Sequence, residues 1–428
     1  MTRYTKPARR NRDRVALTAT VCCSVLQTLC LHVSAGQWPQ WRGPDSNGVA
    51  DEPNIATQWS SDEGVRWKVA LPGSGISSPV IWQDRVFITA SDGVALNELH
   101  VICLSRRDGK VIWHRRLWGT APTRYHGTKS SMASPTPLTD GDHLYAFFGT
   151  GDVFCVDLNG VLIWHRSLAT EYGKFENRFS ATSSPILYQD YLVLQCDHHG
   201  DSYIVALDKN TGSNRWKRDR PNSWLSWASP RLVPVADGDE QELVVCGSER
   251  VEGLDPKTGA PLWTVTGMRN ECIPTPVFGH GLIYAVSGPK GPSLAIRPGG
   301  RGDVTQSHVE WANPRGAPFV PSAILVGNYY YLVDDQGITT CLAAANGKRI
   351  WQKRLPGGYT ASPVASRDHI YFANESGQVT VIRAHVGRFQ QISRNNIGEA
   401  IFASPSIAAG DLYLRTSHHL WCITDQSN

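Results

Sequence analysis

One short pattern recurs along the chain: a small or hydroxyl residue, then Pro, then an apolar run. Copies stand at Ser78-Pro79-Val80, Ser134-Pro135, Ser184-Pro185-Ile186, Ser229-Pro230, Thr275-Pro276-Val277, Ser362-Pro363-Val364 and Ser404-Pro405. Val320-Pro321-Ser322-Ala323-Ile324 fills the one gap, with its Pro moved back by one. A spacing of roughly 40–56 residues, with room for about four strands per period, is that of a β-propeller. Pro fits the first residue of a strand, where its missing N–H breaks no ladder bond.

The other strands of each period can be read in the same way. A turn and a second apolar strand follow the Pro, as in Asp84-Arg85-Val86-Phe87-Ile88 or Asp411-Leu412-Tyr413-Leu414. A third strand runs into an Asp/Asn-Gly turn, and a fourth carries Trp. The fullest copy is Ala206-Leu207-Asp208-Lys209-Asn210-Thr211-Gly212-Ser213-Asn214-Arg215-Trp216, and Gly253-Leu254-Asp255 to Thr258-Gly259 and Trp263 repeats it. Gly supplies the positive φ of a tight turn, Asp and Asn bond the turn's amides, and Trp offers a large apolar surface to the next blade.

The Trp positions are Trp67, Trp113, Trp164, Trp216, Trp263, Trp311 and Trp351, with Phe389 expected to stand in for an eighth. Trp67 precedes the first Ser-Pro strand, and the last period ends near Thr424 without a Trp strand of its own. The N-terminal strand is therefore expected to complete the last blade and close the ring, which removes exposed strand edges. The fold expected is all-β: an eight-bladed propeller of four-stranded antiparallel blades. Cys103, Cys155, Cys341 and Cys422 fall on third strands where the fullest copy has Ala206. Equivalent positions in separate blades lie far apart, so these read as small buried thiols. Cys196 and Cys246, on second strands of successive blades, are the one pair worth checking for a bridge.

Residues 1–35 have the order of a secretory signal: a basic start, the apolar run Val15 to Val33, then Val33-Ser34-Ala35 before Gly36. Arg3, Lys6, Arg9, Arg10, Arg12 and Arg14, against Asp13, place the formal +4 of the chain in this leader, and the remainder is close to neutral. Such a body has no basic field for a phosphate backbone, so nucleic acid is excluded as a partner. The organisation expected is a signal over 1–35, an extension over 36–60 packing on the propeller, and the propeller over 61–428. The protein is expected to be exported to the periplasm or cell envelope, or secreted, with no transmembrane span in the mature chain.

The Ala206–Trp216 stretch resembles the docking motif of pyrroloquinoline quinone (PQQ) propeller enzymes. The repeat set is similar to the PQQ-like superfamily, which holds quinoprotein dehydrogenases and BamB-like assembly-factor propellers. The resemblance covers roughly residues 60–424, with a degenerate copy from Cys341 to Trp351 in which Ala343 replaces the Asp. Trp38-Pro39-Gln40-Trp41-Arg42-Gly43-Pro44, and Ser293 to Gly300 followed by Gly302-Asp303-Val304-Thr305, resemble exported bacterial propellers of this kind. For the enzymes the resemblance implies PQQ, a calcium site, a catalytic Asp and often an adjacent Cys pair. The adjacent pair of this chain, Cys22-Cys23, lies in the leader.

The loops entering the innermost strands face the channel mouth of a propeller, and here they are polar and aromatic. They carry Arg124, Tyr125, His126 and Lys129, then Glu176, Asn177 and Arg178, then Trp224 and Trp227. Arg269, Asn270, Glu271, Arg315, Tyr359 and Glu399 with Phe402 continue the circuit. Such a ring suits a small polar ligand, a glycan or a protein partner, or it is a mouth that is polar because it is wet. Glu176, Asn177 and Glu271 offer hard oxygens for calcium, and Trp227 a face for a planar quinone. His198-His199-Gly200-Asp201, His418-His419 and Arg301-Gly302-Asp303 read as turns. GxSxG, P-loop and HExxH motifs are absent from the sequence, which removes support for hydrolase and nucleotide chemistry. Two readings follow: a non-catalytic binding or scaffold propeller, and alternatively a PQQ- and calcium-dependent dehydrogenase of alcohols or sugars.

Overall fold

The computed structural model describes residues 1–5, 36–121, 129–176, 179–224, 226–235, 240–385 and 387–425. Met1–Ser34 and Ala35–Asn428 are separate compact units, and the propeller lies in the second. The leader falls almost wholly outside the described residues. No helix among the described residues is long and apolar enough to cross a membrane.

Eight antiparallel sheets form the blades, each built outward from a short inner strand. The second blade is typical, with strands Leu138–Thr139, His143–Phe147, Asp152–Asp157 and Leu162–Ser167. The eighth consists of Ser406–Ala408, Asp411–Arg415 and His419–Thr424, completed by Val65–Ala70 with Trp67 opposite Cys422. The ring is thus closed by its two ends. Seven sheets have four strands and the fourth blade has five, because Gly302–Asp303 pairs in parallel with its outer strand.

The hydroxyl of the recurrent motif has a structural task that its place before Pro had hidden. The amide of Ser78 donates to Thr136 Oγ1 at 2.9 Å, Thr136 to Ser184 Oγ at 3.0 Å, and Ser184 to Ser229 Oγ at 2.9 Å. Ser229 donates to Thr275 Oγ1, Thr275 to Ser322 Oγ, Ser322 to Ser362 Oγ and Ser362 to Ser404 Oγ. Ser78 Oγ closes the circle on the carbonyl of Ser404 at 2.9 Å. Every blade is therefore bonded to the next at its inner edge. In the second blade the member is Thr136, before Pro137, and not the expected Ser134, whose hydroxyl bonds the Ser131 carbonyl instead. Removing one hydroxyl, as in Ser229→Ala, strands the buried Ser184 amide. We expect a loss of about 1–3 kcal/mol by urea unfolding, with Ser229→Thr retaining most of it.

The outer-strand Trp residues lock the blades at the periphery. Trp67, Trp113, Trp164 and Trp216 each send Nε1–H to a carbonyl of the following blade, at Arg106, Leu158, Lys209 and Pro256. Their rings lie on Gly109, Gly160, Gly212 and Gly259, whose φ of +71° to +80° already favours glycine and where a Cβ would meet the indole within 2.8 Å. Opposite each Trp on the third strand stands a small residue: Cys103, Cys155, Ala206, Gly253, Ala295, Cys341 or Cys422. This explains the cysteines. All seven in the described residues are free and buried, Cys196 and Cys246 included. Burial pushes the Cys103, Cys155, Cys246 and Cys341 thiols up to about 12, which leaves them unreactive.

Two blades depart from the rule. Trp263 turns into its own blade and donates to the buried Glu242 at 2.7 Å, because Arg297–His308 replaces the usual Gly turn of the fifth blade. In the seventh blade the expected substitute, Phe389, packs edge-on against Trp351 at 5.3 Å and so serves the sixth. The position itself is filled from the N-terminal segment: Trp59 stacks on Tyr371 at 6.4 Å, where in the eighth blade Trp67 lies tilted against Tyr413 at 6.0 Å.

Candidate functional site

The N-terminal segment closes one end of the central channel. Trp38 pairs with Ile81 through two backbone bonds, the Pro39 carbonyl takes the Thr139 amide, and Val49 bridges Ala365 in parallel. Glu52 accepts the amides of Gly36, Ala409 and Gly410. The arginines Arg42 and Arg231 clamp the turn between them through the carbonyls of Asn47, Ser46 and Asp45. The segment ends its climb at Trp41, whose Nε1–H donates to the ring hydroxyl of Thr275 at 3.0 Å.

Above that floor lies a cavity of about 390 Å³. The hydroxyl ring forms its lower wall through Ser184, Ser229, Thr275, Ser322, Ser362 and Ser404. Each of these oxygens already accepts a backbone amide, which leaves its O–H and one lone pair to offer a ligand, except at Thr275, where Trp41 takes the second lone pair. Higher up the wall is apolar and aromatic, from Ile76, Phe179, Trp227, Ile273, Phe319, Val320 and Phe402. Trp227 is 5% exposed, stands edge-on to Phe179 at 5.6 Å, and donates to the Ser180 carbonyl.

Among the described residues, the charged side chains that line the cavity are Lys129 and Asp335. Lys129 reaches Glu375 Oε1 at 2.6 Å, and Thr360 donates to the same oxygen. Asp335 accepts the Phe319 amide at 2.9 Å, and burial pushes its carboxyl above the usual carboxylate range.

Of the residues read from the sequence, Lys129, Trp227 and Phe402 line this cavity. Arg124, Tyr125, His126, Asn177 and Arg178 lie outside the described residues. Glu176, Trp224, Arg269, Asn270 and Arg315 are exposed on loop crests and do not line it. Glu271 bridges Gly288 in the neighbouring loop. Tyr359 is fully buried beside the wall, and burial holds its hydroxyl up at about 12. The side chains that do line the cavity follow those crests by a few residues, at Phe179, Ile273, Phe319 and Thr360. A loop crest points away from the axis, whereas the residues descending into the inner strand face it.

Glu399 belongs to a different network. It accepts from Lys68 at 3.1 Å, His419 at 2.7 Å and Thr416 at 2.6 Å on the eighth blade. Burial works against ionisation, but the bonds from Thr416, His419 and Lys68 together hold this carboxyl down at about 2. A depressed folded-state value adds stability that is complete above the unfolded carboxyl's range and is lost as pH falls from about 4.5 towards 2. Glu399→Gln should therefore flatten the acid limb of a pH–stability profile across that window, with little change in its shape above pH 6.

A quinone with calcium places specific demands on this wall. A calcium cage needs about six to eight oxygens, several from carboxylates. Among the described residues the lining holds one carboxylate, Asp335, and no group of three or more His, Cys, Asp or Glu is placed to hold a metal. The donor set among the described residues does not fit the ion.

A family model described as outer membrane protein assembly factor BamB matches residues 48–265 and 174–353. The outer membrane protein assembly factor BamB of Yersinia pestis is 23% identical over 319 residues, covering 72% of this chain and 74% of that one. The crystal structure of BamB from Moraxella catarrhalis superposes with a TM-score of 0.60 at 16% identity, over 84% of this chain and 97% of that one. A europium-containing methanol dehydrogenase superposes with a TM-score of 0.67 at 11% identity, over 91% of this chain and 98% of that one. Identities this low in solved structures speak for the propeller alone.

Proposed function

The chain belongs to the family described as outer membrane protein assembly factor BamB, and from that premise we propose that it is an exported, non-catalytic binding propeller. The leader over residues 1–35 supports export, and the extension from 36 to 60 is part of the binding unit because it builds the cavity floor. The partner is a protein at the cell envelope that seats an apolar or aromatic group in the channel mouth.

One observation carries this reading: the mouth is a blind cup of about 390 Å³, walled by Trp41, Phe179, Trp227, Phe319 and Phe402. Buried aromatic pockets of this size anchor apolar groups, and the ring hydroxyls set their orientation. The dehydrogenase alternative asks for a carboxylate cage, and the described residues of the wall include one carboxylate, Asp335.

A titration of the purified protein with N-phenyl-1-naphthylamine, a neutral aromatic probe, tests the site. Saturable binding of one probe per chain is expected, about tenfold weaker in Trp227→Ala and in Phe402→Ser, a change of about 1.4 kcal/mol. A parallel titration with PQQ and calcium, read by dye-linked alcohol oxidation, addresses the alternative. Calcium-dependent 1:1 quenching together with dye reduction would overturn the binding-module reading.

A further inference from the structure

We infer that the propeller holds a small monovalent anion of the halide class at the plugged end of its channel, with Arg42 Nε and Nη1 and the Tyr330 hydroxyl as its donors. Arg42 is 2% exposed and Tyr330 1%. Arg42 Nη2 donates to the carbonyls of Asn47 and Ala323, at 2.9 and 2.7 Å, while Nε and Nη1 meet no acceptor. The Tyr330 hydroxyl has no partner either, and Tyr330 stands opposite Leu325, two residues beyond the Ala323 carbonyl that Arg42 holds.

The electrostatics ask for a negative charge here. The charged group that acts on Arg42 is another cation, Arg231, and no carboxylate is among its partners. Arg231 is 4% exposed, donates to the carbonyls of Ser46 and Asp45, and leaves its own Nε without an acceptor. Two guanidinium groups are thus buried with hydrogen bonds to carbonyl oxygens only, and the one carboxylate that acts on the pair, Asp45 on Arg231, is exposed. Burial, reinforced by the charge of Arg231, pushes Arg42 down to about 9, which still leaves it charged at neutral pH. The same molecule treats Arg220 differently, giving that equally buried group both Asp197 and Glu252.

The packing beside the guanidinium favours a small ion. A Cβ at Gly48 would come within 2.7 Å of Arg42 Nη2, so the turn is already closed over the guanidinium. A single-atom anion asks for the least displacement of the clamp on Asn47 and Ala323. A halide supplies the missing charge and accepts several N–H and O–H donors without directional demands.

Crystals of the full chain soaked in sodium bromide test the site directly through bromine anomalous scattering. The expected result is a peak in contact with Arg42 Nε or Nη1 and the Tyr330 hydroxyl. In solution, replacing gluconate by bromide at constant ionic strength should raise the melting temperature along a saturating curve, as binding to the folded state requires. Tyr330→Phe should weaken the apparent bromide affinity about three- to tenfold by removing one donor, and Arg42→Met should abolish the response. Should Arg42→Met fail to fold, the Tyr330→Phe series and the anomalous map still decide. Water at the site with no anomalous signal, bromide peaks confined to the surface (an adventitious ion only), or a melting curve indifferent to bromide would each overturn the assignment.

Discussion

Arg220→Ala is expected to lose about 3–5 kcal/mol of unfolding free energy at neutral pH, because it leaves a buried carboxylate without its cation. Arg220 lies between the third and fourth blades with its side chain 0% exposed. Its Nε and Nη2 hold Asp197 at 2.9 and 3.2 Å, and its Nη1 holds Glu252 at 2.6 Å. Glu252 would keep Arg218 at 3.0 Å and Arg250 at 3.3 Å, so the damage concentrates on Asp197. Burial already leaves the Asp197 carboxyl above the usual range despite the opposing pull of Arg220. A raised carboxyl costs stability above its unfolded range and stops costing once it is protonated. The gap between variant and parent should therefore narrow as pH falls from 7 towards 4. Arg220→Ala combined with Asp197→Asn should recover part of the loss at pH 7. Urea unfolding at two pH values measures all of this, and a loss below about 1 kcal/mol would show that water reaches the pair and screens it.

The eight blades were legible because each period carries its own strand starts, turns and packing residues, and because Trp67 stands before the first Ser-Pro strand. The four third-strand cysteines could be placed for the same reason, although why they are small became clear only from their register opposite Trp113, Trp164, Trp351 and Trp67. The hydroxyl ring was written in the motif but could not be interpreted from it, since a bond from Ser78 to Thr136 joins residues of different periods. The cavity was less legible still. Polar loop crests such as Arg269 and Glu176 drew attention by composition, whereas the wall is made by Phe179, Ile273 and Phe319, which look like ordinary core residues. The floor could not have been anticipated by any periodic argument, because Trp41 comes from a segment that obeys no repeat.

The same non-repeating segment sets the second large effect. Trp59→Ala is expected to cost about 3–5 kcal/mol, and Phe389→Ala about 1–2 kcal/mol, reversing the order that the repeat alone predicts. Trp59 is 7% exposed, its ring stacks on Tyr371, and its amide donates to Asn395 Oδ1 at 3.0 Å. In the seventh blade the register position that carries Trp elsewhere is Ser393, opposite Val381. Ser393 donates to the Thr57 carbonyl, Asn395 Nδ2 to the same oxygen at 3.1 Å, and Tyr371 to the Ile55 carbonyl at 3.2 Å. The small side chain thus makes room for a ring brought in from outside the blade. Ser393→Trp alone should be destabilising, since two indoles would compete for one space. Placed in the Trp59→Ala background it should be tolerated better, restoring the arrangement of the other blades. A double-mutant cycle on these two positions, read by urea unfolding, should give a favourable interaction energy of about 1–3 kcal/mol. Additive costs would mean that Trp59 and the Ser393 position do not share that space, and that the seam beside the seventh blade is held by the backbone bonds of residues 55–59 instead.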